Sequence, residues 1–147
     1  MKMLTETKAL SQLNKLKTAY QEFIKTNFEP NAQNCETCPT RGACCLDAHF
    51  VNVHITRLEA VAIRKTLEKL SADKQQEIYK RAEETVEKYD LKNSGETFAC
   101  PLFEKGIGCL VHREAKPAPC ISHACYENEA DLPPENLQEH AEIKLKD

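Results

Sequence analysis

Eight cysteines fall into two groups along this 147-residue chain. The first group has the spacing C-x2-C-x5-C-C, and the second has the spacing C-x8-C-x10-C-x4-C. The members are Cys35, Cys38, Cys44 and Cys45 in the first group, and Cys100, Cys109, Cys120 and Cys125 in the second. Thiolate sulfur is a soft anion, and four such ligands bind Zn²⁺ or iron in a tetrahedron. The cysteines therefore predict a metal site built from thiolates.

The spacing within the first group also bears on how many ions are bound. A two-residue gap lets Cys35 and Cys38 reach one ion from a single turn of the chain. The side chains of the adjacent Cys44 and Cys45 diverge, so they suit two metals, or two corners of a cluster, better than one simple site. Eight thiolates suffice for two four-sulfur sites or one multinuclear centre. A bound cation would also remove the repulsion among crowded thiolates.

Other uses of the cysteines remain open. A disulfide scaffold is disfavoured because the polar N-terminus does not resemble a secretory signal. Inert buried cysteines would not cluster in loops rich in proline and glycine. A thioredoxin-like redox pair at Cys35 and Cys38 would need a βαβ environment, which the sequence does not indicate. A thiol sensor that releases zinc on oxidation is a further alternative.

Two histidines are candidates for an additional metal ligand or for a hydrogen-bond partner of one. His123 lies between Cys120 and Cys125, and His112 follows Cys109 by three residues. No catalytic Ser/His/Asp arrangement, phosphate-binding glycine loop or H-E-x-x-H motif occurs. All-cysteine sites are usually closed, which argues against hydrolysis. Electron transfer, metal handling and structural roles remain, so whether the protein is an enzyme stays open.

The elements around the cysteines are predicted to be helical. Apolar residues at three- and four-residue spacing predict a helix over residues 3–28. Thr56 and Glu59 form a capping-box pattern that begins a helix over 57–70. Ser71 is the predicted cap of a third helix over 72–91, with Ile78, Ala82, Val86 and Tyr89 facing inward. A short helix is predicted over 135–145.

These elements predict a mainly α protein, in which a small scaffold of about four helices brackets two cysteine-rich metal-binding loops. We expect a single domain over residues 1–147. It comprises an N-terminal helix within 1–30, the cysteine-cluster region at 35–125 and an acidic C-terminal segment at 126–147.

Charge and hydropathy limit the classes of partner. The net charge is −3, and the C-terminal segment is acidic, so a nucleic-acid partner is not expected. No apolar run approaches the ~18 residues of a membrane helix, so no membrane association is expected. We expect the protein to be in the cytoplasm, a compartment in which thiols stay reduced. Metal ions are the expected partners, and the sequence identifies no protein partner.

Together, the cysteine motifs resemble those of the zinc- or iron-chelating domain family with the signature CxxCxxCC, often called YkgJ-like cysteine cluster proteins. The resemblance covers residues 35–125. The matching features are Cys35-x-x-Cys38 with Gly42-Ala43-Cys44-Cys45, Val53-His54-Ile55-Thr56-x-x-Glu59-Ala60, Cys100-Pro101-Leu102, Gly108-Cys109-Leu110-Val111-His112 and Lys116-Pro117-Ala118-Pro119-Cys120.

The resemblance implies a cytosolic protein that holds Zn²⁺ or Fe, the latter as iron ions or as an Fe–S cluster. It leaves an alternative to simple metal binding, namely an iron–sulfur or multinuclear-iron oxidoreductase or electron carrier. Three features depart from the family pattern. Three extra residues lie between Cys38 and Cys44, and His112 replaces a tyrosine. Lys116 replaces an arginine, whose guanidinium could form two parallel hydrogen bonds to a carboxylate that a lysine cannot form.

Overall fold

The computed structural model describes residues 3–33, 37, 39, 45, 53–89, 98–122, 125–126 and 129–134. Several sequence predictions concern residues outside these ranges. They are the roles of Cys35, Cys38, Cys44 and His123, and the helix predicted over 135–145. For Cys125 the description covers the backbone and not the side chain, so its predicted role also lies outside it.

The first helix, α1, spans Glu6–Asn27 and confirms the predicted N-terminal helix. It begins after Thr5, whose hydroxyl accepts a hydrogen bond from the Lys8 N–H. A 3-10 turn over Glu29–Asn31 follows it, with Pro30 near the start, where a missing N–H has no cost. The buried face of α1 carries Leu13, Lys17 and Ile24, which places a lysine between two apolar positions.

Helices α2 (Arg57–Leu67) and α3 (Ala72–Lys88) form the middle of the chain. The capping box of Thr56 and Glu59 is present as predicted, and Ser71 accepts from the Lys74 N–H. Helix α2 ends before Leu70, because the Leu70 N–H bonds to the Leu67 carbonyl in a tight turn. The prediction for Val86 was wrong: its side chain is 58% exposed, because the apolar contacts of α3 centre on Ile78.

The second cysteine group lies on short elements. Strands β2 (Phe103–Glu104) and β3 (Gly108–Cys109) form an antiparallel hairpin. The turn of this hairpin requires glycine at position 106, because the φ of 88° there would be strained for a residue with a Cβ. Helix α4 spans Ala118–Ser122. Strand β4 (Cys125–Tyr126) pairs antiparallel with strand β1 (Ala32–Gln33), which directly precedes the first cysteine group.

Two small apolar clusters hold these elements together. One joins α2, α3 and the segment after the hairpin, and its buried members are Ile63, Leu67, Ile78, Val111 and Ala115. The other joins α1 to α4 through Leu13 and Ala118, with Leu10, Leu58 and Ala62 packed against them. Cys109 packs against the first cluster. The part of the second cysteine group that carries Cys109 therefore packs directly against the helical scaffold.

The prediction of a mainly helical protein is confirmed, with four α-helices in the described part of the chain and strands of only two residues each. Among the described helices, none has the length and apolar character needed to span a bilayer.

Candidate thiolate metal centre

The two cysteine groups meet at their backbones. The Cys100 N–H donates a 2.8 Å hydrogen bond to the carbonyl of Cys45, although α2 and α3 separate the two residues in the chain. A second junction lies in the β1–β4 pair, where Gln33 is opposite Cys125. A backbone hydrogen bond between two cysteines, one from each group, thus closes the part of the chain that contains α2 and α3.

The chain makes a hydrogen-bonded turn at Cys100 that influences its thiol. The Phe103 N–H lies 3.0 Å from the Cys100 carbonyl oxygen, which turns the chain back on itself. In this turn the backbone N–H groups of Leu102 and Phe103 favour the Cys100 thiolate and act to lower its pKa. Burial acts more strongly, and the net effect is a raised pKa of the Cys100 thiol. Such N–H groups could stabilise a sulfur anion once a cation compensates for its burial.

The same turn continues into the hairpin that carries Cys109. Cys109 lies opposite Phe103 in the β2–β3 pair, and its charge acts on Cys100. Cys120 lies on α4 and is affected by both of these thiols. Burial, followed by the neighbouring Cys100, raises the pKa of Cys120 to about 11, although Lys116 opposes the effect. Three thiols from separate elements are therefore within electrostatic range of one another.

A buried carboxylate fixes the position of α4. Glu59 is 2% exposed, and its Oε1 accepts a 2.9 Å hydrogen bond from the N–H of Ala118, the first residue of α4. Its Oε2 accepts a 2.9 Å bond from the Thr56 N–H. Since Cys120 follows Ala118 by two residues, one carboxylate connects the start of α2 to the cysteine-bearing helix.

Lys17 supplies the countercharge for Glu59. Its Nζ lies 3.6 Å from Glu59 Oε1, and its side chain is 10% exposed. Burial lowers the pKa of Lys17, while Glu59 and then Cys120 oppose that effect. The ammonium group is thus near the cysteine centre as well as the carboxylate.

Sequence reasoning identified Glu59 as a cap but missed its long-range contact, and it missed Lys17 entirely. The signal for Lys17 was its position on the apolar face of α1, four residues after Leu13 and seven before Ile24. The signal for Glu59 was weaker, because a capping box satisfies the carboxylate locally and gives no sign of a second partner.

The predicted ligands are brought together only in part within the described residues. Cys45, Cys100, Cys109 and Cys120 are half-buried thiols, not disulfides. Among the side chains that the structure describes, no three of the His, Cys, Asp and Glu residues form a group able to hold a metal ion. His112 as a whole residue is exposed. Partial burial, followed by the charges of Lys116 and Arg113, lowers its pKa. Its role as an additional ligand stays a prediction.

The thiols predict a steep pH dependence of metal binding. Each ligand must lose a proton, so protons compete with the ion below the thiol pKa. The raised pKa of Cys120 extends that competition further into the alkaline range. For a four-thiolate site, we expect the logarithm of the zinc affinity to rise with a slope of ~4 per pH unit between about pH 6 and 8. Titration against a competing chelator at several pH values measures this slope. A slope near zero would contradict thiolate ligation.

The fold and these contacts define a small, mainly helical protein in which a buried ion pair holds a cysteine-bearing segment against the scaffold. No protein-family model, curated protein or solved structure matches the chain.

Proposed function

We propose that the protein is a metal-binding cysteine-cluster protein that holds zinc or iron through thiolates from both of its loops. The observation that carries this proposal is the hydrogen bond between Cys45 and Cys100, because it brings the end of the first cysteine group to the start of the second. We further propose that the protein acts in the cytoplasm, where these thiols stay reduced between binding events.

The chemistry of the described thiols supports the proposal. Cys100, Cys109 and Cys120 interact electrostatically, and burial makes the ionised form of Cys100 and Cys120 unfavourable when no cation is present. A divalent ion would reverse that balance, since a coordinated thiol is deprotonated. The described thiols do not by themselves form a complete ligand set. The proposal therefore requires ligands from Cys35, Cys38, Cys44 and Cys125, with His123 and His112 as candidate additions.

A second candidate function is an iron–sulfur or multinuclear-iron oxidoreductase or electron carrier. It is compatible with the effect of the Leu102 and Phe103 backbone N–H groups, which favour the thiolate of Cys100. Hydrogen bonds to cysteine sulfur help to set the reduction potential of such centres. The same bonds would stabilise a zinc thiolate, so the geometry is compatible with both functions.

Elemental analysis of protein purified without oxygen, together with its visible spectrum, tests both candidates. Zinc with no visible absorption is the result expected for the first, and iron with a brown colour is expected for the second. Protein that contains neither metal, and that takes up neither when its thiols are reduced, would contradict both.

A further inference from the structure

Arg81 of α3 carries buried hydrogen-bond donors that the described residues leave unused. Nε and Nη2 of Arg81 are buried, and neither has a hydrogen-bond partner among the described residues. These two nitrogens form one edge of the guanidinium, the fork that usually binds a planar or anionic acceptor. Burying a cation without a partner costs free energy. The arrangement therefore requires an anion, which the protein lacks while its cysteines are protonated.

The position of Arg81 follows from the way α3 packs. Ile78 is 2% exposed and lies in the core cluster with Val111. Lys74 lies four residues before Ile78 and binds Glu104 of the hairpin, with Nζ and Oε1 2.8 Å apart. Arg81 lies one turn after Ile78, on the same face of α3. This face contacts the segment that carries Cys100 and Cys109.

The charge of Arg81 acts on Cys100 and lowers its pKa, against the larger effect of burial. The Glu104 carboxylate of the hairpin does not bind these two Arg81 nitrogens. Its Oε1 pairs with Lys74, and its Oε2 has no hydrogen-bond partner in the described structure. A neutral thiol is only a weak acceptor. A metal-bound cysteine of the segment that α3 contacts would supply the missing acceptor.

We propose that Arg81 is the countercharge of the thiolate centre, a positioning residue that donates to sulfur anions once a metal ion has displaced their protons. This inference rests on the proposed metal-binding function. A divalent ion held by four thiolates carries a net charge of about −2, and a buried guanidinium beside it offsets part of that charge. Each ligand cysteine gives up its thiol proton to solvent as its sulfur–metal bond forms.

The test compares zinc affinity in four forms of the full chain by chelator competition. Arg81→Gln is expected to weaken zinc binding by ~10–100-fold, the usual effect of removing a partner of a metal ligand. Arg81→Lys keeps the charge and loses the fork, so a loss of less than tenfold is expected. Lys80→Gln is the matched control, because it removes the same charge from the neighbouring position, where the side chain is 77% exposed. Wild-type affinity is expected for it.

Thermal unfolding of the metal-free variants separates this role from a structural one. The inference is supported if Arg81→Gln loses affinity while its metal-free melting temperature is no lower than that of Arg81→Lys. It is overturned if Arg81→Gln binds zinc as tightly as Lys80→Gln, or if Arg81→Lys loses as much affinity as Arg81→Gln. If the wild-type chain itself binds no metal, the proposed function fails, and this inference fails with it.

Discussion

Replacing Glu59 with glutamine is expected to lower the free energy of unfolding by about 3–5 kcal/mol, the usual effect of breaking a buried ion pair. The neutral side chain would leave the Lys17 ammonium buried without a countercharge. It would also present an NH₂ group to one of two N–H donors, those of Thr56 and Ala118. Denaturant unfolding of the wild-type and variant proteins measures the difference.

Glu68→Gln is the matched control for this prediction. Glu68 follows the same helix, α2, and it also pairs with a cation, Arg64, but both side chains are more than half exposed. Exposed pairs of this kind contribute ~0–1 kcal/mol. Adding Lys17→Met to Glu59→Gln should recover part of the lost stability, because no unpaired charge is then buried. A Glu59→Gln protein within 1 kcal/mol of wild type would show that Glu59 does not hold α4 in place.

Removing the metal is expected to destabilise the protein on a similar scale. A ligand present at about 1,000 times its dissociation constant stabilises the native state by ~4 kcal/mol, and that contribution is lost when a chelator removes it. The apolar clusters are small, with two buried residues in the one that joins α1 and α4, so little else compensates. Denaturant unfolding with and without chelator measures the loss.

Cys100→Ser should show the same instability without chelator, and chelator should have no further effect on it. Ile107→Ser provides a control in the hairpin that follows Cys100, because Ile107 is 69% exposed and contributes no thiol. It should retain the full response to chelator. If chelator leaves the wild-type unfolding curve unchanged, the metal does not stabilise this fold.

The local signals in the sequence predicted the helices well. Thr56 with Glu59, and Ser71 before α3, are cap patterns that depend on neighbouring residues alone, and both are present. The exposed position of Val86 was not predictable in this way. Periodicity places Val86 on the same stripe as Ile78, but which part of a helix is covered depends on where the hairpin packs, and that is a tertiary effect.

The site was predictable in composition but not in its supporting contacts. Cysteine type and spacing indicated a metal site, and that remains a prediction. The contact from Glu59 to Ala118 spans 59 residues, and no local pattern encodes such a distance. The burial of Arg81 was not predictable either, because a lone arginine in a charged helix is usually solvated. Only the packing of α3 against the second cysteine segment reveals that two of its nitrogens are buried.

The most direct test of a centre shared by the two cysteine groups is cadmium-113 NMR of the cadmium-substituted protein, read through couplings to cysteine β-protons. Shared coordination predicts that at least one cadmium resonance couples to cysteines of both groups, for example Cys45 and Cys100. Resonances that each couple to cysteines of one group alone, or the absence of bound cadmium under reducing conditions, would contradict it.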